Sequence, residues 1–194
     1  MGSMTTTDAL GPAIRRIRDE VHGVLGGLSE SPAEELESFL GAVADAERVF
    51  VHGAGRSGLA LRMVAMRLMH LGLDVHVVGE TTAPAIRAGD LLLTASGSGT
   101  TGGIVRAAQT AVSVGARVAA ITTAAASPLA DLAQAVIVVP AAEKLDRSGA
   151  ASAQYAGSLF EQSVVLLGDA LFHALWQRSG ATADELWPRH ANLE

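Results

Sequence analysis

The sequence lacks cysteine, long hydrophobic runs and an excess of positive charge. Without cysteine the chain forms no disulfide, has no thiolate nucleophile and offers no cysteine ligand for zinc. Hydrophobic residues make up 49% of the chain, but they are scattered through short segments and nowhere form the run of about 18 apolar residues that indicates a transmembrane helix. The net charge of −6 argues against a general nucleic-acid binder, because phosphate backbones need a clustered basic surface.

The first residues carry no targeting signal. Residues 1–10 have no basic stretch followed by an apolar core, so the sequence predicts no secretory signal peptide and a cytoplasmic location. Residues 1–3, Met-Gly-Ser ahead of Met4, are typical of an expression scar and are set aside. Residues 4–194 suffice for one well-buried core but not for two enzyme domains of usual size, so we expect a single domain.

The chain opens with two predicted helices and then alternates between short strands and helices. Thr7 and Asp8 are placed to cap a first helix that runs towards Leu28, and residues 31–34 (SPAE) to begin a second, giving a helical pair over about residues 8–46. Strands interspersed with helices indicate a parallel sheet covered on both faces, an α/β three-layer sandwich. The five short apolar runs that predict its strands are residues 48–53, 74–78, 91–95, 117–122 and 135–140.

Three later segments complete the pattern. The connection over residues 78–90 contains Pro84 and no helical periodicity, so we expect a loop. Residues 141–152 are polar and contain glycine, which is typical of a mobile segment, and we interpret them as a candidate lid. A long helix is predicted over about residues 153–178, and its broad apolar face favours burial against a partner, before a last short helix capped by Thr182.

The first glycine-rich loop, Gly53 to Gly58 (GAGRSG), follows a strand and opens a helix. It has the spelling G-x-G-x-x-G of a dinucleotide site, and Glu80 lies 22 residues after Gly58, where such a fold holds a ribose. Three features argue against a dinucleotide-dependent oxidoreductase: the second predicted strand is short, no clear crossover helix follows it, and a second loop typical of phosphate binding occurs further along the chain. Neither loop has the G-K-[ST] ending that places a lysine on nucleotide phosphates.

The second loop follows the strand LLLTA and combines hydroxyl side chains with glycines. Glycines allow close approach of a ligand to the backbone, and hydroxyls and N–H groups at a helix N-terminus favour a dianion. One serine would be enough to cap the helix, so a compact phosphate monoester is favoured over capping alone. The residues concerned are Ser96, Gly97, Ser98, Gly99, Thr100 and Thr101.

Together these motifs resemble the sugar isomerase (SIS) domain family. Besides GAGRSG and SGSGTT, the resemblance rests on MRLMHLG, GETTAP, FEQ and the terminal RHANLE, and it covers roughly residues 48–194. It implies a five-stranded parallel sheet in the flavodoxin-like order 2-1-3-4-5. Thr100 stands where many family members have a glutamate, so we assign it no role beyond lining the site.

The activity that the resemblance implies is the interconversion of D-arabino-hex-3-ulose 6-phosphate and fructose 6-phosphate through an enediol, a step of formaldehyde fixation by the ribulose monophosphate pathway. Moving a carbonyl between carbons 3 and 2 needs a general base, a proton relay between two oxygens and a phosphate anchor. It needs no metal and no redox cofactor. The family also implies a homo-oligomer, a dimer or more specifically a tetramer, with sites shared between chains. The charge and the hydropathy of the chain predict no nucleic-acid or membrane partner.

The resemblance also assigns catalytic residues. Glu161 matches the catalytic glutamate of related isomerases and is the only carboxylate of the long helix before Asp169; the alternative is an exposed glutamate without a role. His70 and His190 match family motifs and are candidates for the proton relay. His70, which ends a helix, is expected to act from a neighbouring subunit, or alternatively to be only a partner of the helix dipole.

The predicted substrate ligands are the side chains of Ser57, Ser96, Ser98 and Thr101 and the backbone of Gly55, Arg56, Gly97 and Gly99, with Gln154 as a further sugar-binding candidate. The Arg56 side chain has two interpretations, a contact with the substrate or a salt bridge between subunits. Three other functions stay open: an isomerase for an aldose phosphate, a sugar-phosphate sensing module that performs no catalysis, and a dinucleotide-dependent oxidoreductase.

Overall fold

A five-stranded parallel sheet forms the centre of the computed structural model, which describes residues 9–142, 146 and 148–193. The strand order is β2-β1-β3-β4-β5, and every neighbouring pair is parallel. All five predicted strands and their predicted order are confirmed. The strands are β1 (Val49–Gly53), β2 (Val75–Val77), β3 (Leu91–Ala95), β4 (Arg117–Thr122) and β5 (Ala135–Val138).

Helices cover both faces of this sheet and complete the predicted three-layer sandwich. Within the described part of the chain, no helix is both long and apolar enough to cross a membrane. The helices are α1 (Leu10–Ser29), α2 (Ala33–Ala44), α3 (Gly55–His70), α4 (Gly102–Ser113), α5 (Pro128–Leu132), α6 (Ser158–Ser179) and α7 (Ala183–Leu186), followed by one 3₁₀ turn (Trp187–Arg189).

Two hydrophobic cores lie on opposite faces of the sheet. Val49 and Val51 of β1 point into the core beneath α1, α2, α3 and α6, whereas Phe50 points into the core beneath α4 and α5. In β3, Leu91 and Leu93 point into the first of these cores and Leu92 points into the second. Because these strands are buried on both faces, they read as continuous apolar runs, and this is why the sequence located them well.

Helices α3 and α6 pack closely enough that only glycine fits at one contact. A Cβ atom added to Gly168 of α6 would lie 2.1 Å from Cγ2 of Val64 on α3. This contact lies in the third turn of each helix and sets how closely α3 and α6 approach. The first turns of the same two helices carry Arg56 and Glu161.

Several helix ends differ from the prediction. The long helix α6 begins at Ser158 rather than near 153, because Ala156 takes a left-handed conformation (φ 50°) and Gly157 becomes the N-cap. Pro32, and not a Ser31 side chain, is the N-cap of α2, and no side-chain cap bond forms there. The predicted cap of Thr182 is confirmed as a capping box with Glu185.

Two other predictions fall wholly or partly outside the described residues. The predicted cap at Thr7 and Asp8 lies outside them, and so do residues 143–145 and 147 of the candidate lid. The connection between β2 and β3 contains no helix, as predicted.

Candidate active site

The loops that follow β1 and β3 lie side by side at the carboxyl edge of the sheet. These strands are neighbours, and their last residues, Gly53 and Ala95, are paired in register. A cavity of about 220 Å³ opens between the two loops. It is lined by residues 54–57 of the first loop, by residues 95–98 and 101 from the second, and by Gly157, Phe160 and Glu161 of α6 and its cap.

The glycines of the first loop allow strand and helix to meet. A Cβ on Gly53 would lie 2.9 Å from the backbone of Gly58, and a Cβ on Gly58 would lie 2.4 Å from the carbonyl oxygen of Gly53. Gly55 has a left-handed φ of 59°. No side chain caps the amino end of α3, so its first backbone N–H groups, which have no partner within the helix, remain for a ligand.

The second loop is held in shape by hydroxyl groups. The Ser96 and Thr101 hydroxyl oxygens are 3.0 Å apart. The hydroxyls of Thr122 and Thr123, at the end of β4, donate to the carbonyl oxygen of Gly97 at 3.0 and 2.9 Å. The side chain of Thr101, the N-cap of α4, makes no capping hydrogen bond. The helix-capping alternative therefore does not account for the hydroxyls of Ser96, Ser98 and Thr101, which line the cavity instead.

Two residues of this loop point away from the cavity. Gly99 packs against α5, since a Cβ there would lie 2.1 Å from Oγ of Ser127, and its φ of 63° favours glycine. Thr100 is exposed and its hydroxyl donates to Oγ of Ser98 at 2.9 Å. The structure thus places Gly99 and Thr100 in the support of the loop and outside the cavity lining.

Glu161 enters the cavity from the first turn of α6. Its Oε2 lies 2.9 Å from Nε of Arg56, and its side chain is 20% exposed while that of Arg56 is 62% exposed. The surroundings of Glu161 are therefore ionic on one side. Phe160 closes the other side, because its ring lies 3.6 Å from the Cβ position of Gly97.

Charge is arranged to accept an anion on one side of the cavity. The amino ends of α3, α4 and α6 all contribute lining residues, and each helix carries partial positive charge at that end. A dianion is repelled by the Glu161 carboxylate, so the side formed by Ser57, Ser96 and Thr101 suits it best. Glu161 then faces the remainder of the bound molecule.

The two candidate histidines come together, but not in this cavity. His70 ends α3, a helix of 16 residues, so it lies about 22 Å along the axis from the cavity. The rings of His70 and His190 are stacked with centroids 4.0 Å apart. Nδ1 of His190 lies 3.0 Å from the carbonyl oxygen of Trp187, and Arg189 donates to the His70 carbonyl oxygen at 3.1 Å.

His70 is held in its neutral form. It is 5% exposed, and its Nδ1 has no hydrogen-bond partner among the described residues. Burial lowers the pKa of His70 below its ordinary value of 6.5, and electrostatic repulsion from the neighbouring His190 and Arg67 lowers it further. A neutral imidazole can both accept and donate a proton, which is what a relay between two oxygens requires.

Gln154 is engaged away from the cavity. Its Nε2 donates to Glu20 of α1 at 3.0 Å, and its Oε1 accepts from Gln162 at 2.9 Å. The sequence analysis missed this role of Glu20, since nothing local links it to residues 132 to 134 positions away. Thr122 and Thr123 were not predicted either, although their position at the end of an apolar strand could have indicated them.

Comparison with known proteins gives a consistent result. A profile of the SIS domain matches residues 42–165. A 3-hexulose-6-phosphate isomerase of Mycobacterium gastri is 55% identical over 92% of this chain and 88% of its own length. One from Bacillus subtilis is 35% identical over 93% of this chain and 97% of its own length.

A solved structure shows the same fold. A hypothetical protein from Methanococcus jannaschii, whose crystal structure was taken to indicate a 3-hexulose-6-phosphate isomerase, superimposes with a TM-score of 0.80 at 27% identity. The match covers 94% of this chain and 99% of that one. On the profile match, the related sequences and the shared fold, the chain belongs to the SIS domain family.

Proposed function

We propose that the chain interconverts D-arabino-hex-3-ulose 6-phosphate and fructose 6-phosphate through an enediol intermediate. One observation carries the proposal: among the cavity-lining residues that the structure describes, Glu161 is the one carboxylate, and it faces two loops built to hold an anion. The relatives at 55% and 35% identity are named for this activity, which selects it from the other reactions that such a cavity could support.

The phosphate group binds to the hydroxyl side of the cavity. Hydrogen bonds from Ser57, Ser96, Ser98 and Thr101 and from the first N–H groups of α3 fix the phosphate oxygens, since a charged acceptor strengthens such bonds. Anchoring the phosphate at carbon 6 fixes how far the sugar chain extends towards Glu161. The anchor thus determines which carbon the carboxylate reaches.

Glu161 is the general base. Starting from the 3-ketose, its carboxylate removes the proton from carbon 2 to give the 2,3-enediol, and returns a proton to carbon 3. The hydroxyl proton of oxygen 2 moves to oxygen 3, so that the carbonyl appears at carbon 2. Arg56 orients the carboxylate at 2.9 Å and balances its charge before substrate binds.

The second chain of a homodimer completes the site. Four large apolar residues of α3 are between 39% and 63% exposed, and we call them the α3 stripe: Leu59, Met63, Met66 and Met69. The stripe runs from the cavity at one end of α3 to His70 at the other. A second copy of this chain is the occupant that fits, because twofold symmetry lets one apolar stripe cover an identical one.

The two α3 helices pair antiparallel. In this arrangement the positive amino end of each helix lies beside the negative carboxyl end of the other, which is the favourable orientation of the two dipoles. It also brings the histidine pair of one copy beside the cavity of the other. The arginines that flank the stripe, Arg62 and Arg67, are already paired with Glu80 and Asp169 in their own chain, so they leave the stripe apolar.

Proton exchange tests the proposed reaction. The protein is incubated with fructose 6-phosphate in deuterated water, and deuterium uptake is followed by NMR. Uptake at carbon 3 is expected. Uptake at carbon 1 alone would identify an aldose phosphate as the partner sugar, and tight binding without any uptake would identify a sensing module; either result contradicts the proposal.

A further inference from the structure

The carboxylate of Glu20, on α1, holds the turn that precedes α6. It accepts hydrogen bonds from the Ser152 hydroxyl at 2.6 Å, from the Ala153 backbone N–H at 3.0 Å and from Gln154 Nε2 at 3.0 Å. The Gln154 backbone N–H donates in turn to Oγ of Ser152 at 3.0 Å. We refer to Glu20, Ser152, Ala153 and Gln154 as the Glu20 clamp.

A hydrogen bond joins the clamp to α6. Oε1 of Gln154 accepts a hydrogen bond from Nε2 of Gln162 at 2.9 Å. Gln162 is the residue after Glu161, so the side chain bonded to the clamp and the side chain in the cavity leave the same turn of the helix. A displacement of residues 152–154 therefore moves the turn that carries Glu161.

The connection between the clamp and the helix needs such support. Ala156 has a left-handed φ of 50°, which an L-residue other than glycine adopts only where its surroundings impose it. Gly157, the next residue, is the N-cap of α6 and lines the cavity. Within this connection, the Ser158 hydroxyl donates to the Tyr155 carbonyl oxygen at 2.8 Å.

The clamp is charged at neutral pH. Partial burial raises the pKa of Glu20, but hydrogen bonds from Ser152, Ala153 and Gln154 and the charge of Arg16 outweigh it, so the pKa lies below its ordinary value. An ionised carboxylate accepts all three of these bonds at once. A neutral side chain at this position would turn at least one donor away from its acceptor.

We propose that Glu20 is a positioning residue for Glu161: α1 uses its carboxylate to fix the turn from which the catalytic carboxylate enters the cavity. Arg56 holds Glu161 from the side of α3, and the Glu20 clamp holds it from the side of α1. Among the described residues, no hydrogen bond joins the clamp to residues 53–58 or 96–101, the two loops of the anion site. The inference rests on the proposed role of Glu161 and predicts an effect on the chemical step that leaves the anion site unchanged.

The test compares Glu20→Ala and Glu20→Gln with Asp19→Asn, a matched control in which the neighbouring exposed carboxylate of α1, bonded to Arg18, is neutralised. Three quantities are measured on the full chain: the amide hydrogen exchange of residues 153–161 by mass spectrometry, the kcat of isomerisation, and the inhibition constant of inorganic phosphate. In Glu20→Ala we expect faster amide exchange and a kcat lower by about 10- to 100-fold, because small misplacements of a base are costly. Phosphate inhibition stays within about twofold, and Glu20→Gln lies between Glu20→Ala and the wild type.

Several results overturn the inference. A Glu20→Ala protein with unchanged amide exchange shows that the clamp does not hold the turn. Faster exchange with unchanged kcat shows that Glu20 only tethers α1, and equal losses of kcat and phosphate binding show a general loss of structure. If the wild type performs no isomerisation, the proposed function fails, and the amide exchange still decides whether the clamp exists.

Discussion

The two ends of α3 are built for opposite tasks. At its amino end, Gly55, Arg56 and Ser57 open onto a cavity, and no side chain caps the helix. At its carboxyl end, the buried His70 is stacked on His190 and the backbone is bonded by Arg189. The helix dipole favours an anion at the first end and a cation or proton donor at the second. Under the proposed function these ends are the two halves of one isomerase site, about 22 Å apart within a chain, and we propose that pairing through the exposed α3 stripe brings the halves of two chains together.

Removing the carboxylate at the amino end should have the largest effect. In Glu161→Gln we expect the rate of deuterium uptake at carbon 3 to fall by about 10²- to 10⁴-fold, since that is the usual contribution of a general base. Inhibition by inorganic phosphate should persist, because the hydroxyl side of the cavity is unchanged. Glu34→Gln, which neutralises an exposed carboxylate of α2, is the control, and full uptake by Glu161→Gln would remove Glu161 from the mechanism.

Disrupting the proposed pairing of two chains through the α3 stripe should have the second largest effect. Met63→Glu combined with Met66→Glu places two charges on the α3 stripe, so we expect light scattering to show a smaller particle and uptake at carbon 3 to fall by about 100-fold, the lower end of the usual contribution of an acid–base group. Val112→Glu, an exposed position on α4, should change neither quantity. An active monomer would disprove the shared site.

Removing one hydroxyl from the proposed phosphate site should have a smaller effect. Thr101→Val removes one hydroxyl from the cavity and should raise the KM for fructose 6-phosphate by about 10-fold, the value of one hydrogen bond to a charged group, with kcat nearly unchanged. Thr100→Val alters the exposed neighbour outside the cavity lining and should leave KM within about twofold. Equal effects of the two substitutions on KM would show that the cavity is not the phosphate site.

The smallest effect concerns the buried histidine end. Because the pKa of His70 is lowered in the folded protein, the unfolded chain binds a proton more readily below pH 6.5. The contribution of neutral His70 to the free energy of unfolding is therefore complete above that pH. It is lost as the pH falls, and the free energy of unfolding then changes by less than about 1.4 kcal/mol per pH unit. Urea unfolding at pH 7.5 and 5.5 should show that the free energy of unfolding depends less on pH in His70→Gln than in the wild type. An equal pH dependence in the two proteins would contradict the lowered pKa of His70.

The sequence predicted those parts of the structure that depend on local patterns. Apolar runs located every strand, although the run of β2 is interrupted by His76. The glycines and hydroxyls of two loops located the cavity, because loops after neighbouring parallel strands meet at one edge. The start of α6 was predicted too early, since the left-handed Ala156 and the Glu20 clamp are imposed by a helix 133 positions away. The stacking of His70 on His190 likewise depends on how the tail folds back through Arg189, which no local pattern encodes.

Mixing two defective proteins tests most directly whether opposite ends of α3 from two chains form one site. Glu161→Gln is mixed with a variant carrying both His70→Ala and His190→Ala under conditions that exchange subunits. In a mixed dimer one site carries both defects and the other carries none, so random pairing restores about one quarter of the wild-type deuterium uptake at carbon 3. Uptake that stays at the average of the two separate variants would contradict the account and place each complete site within a single chain.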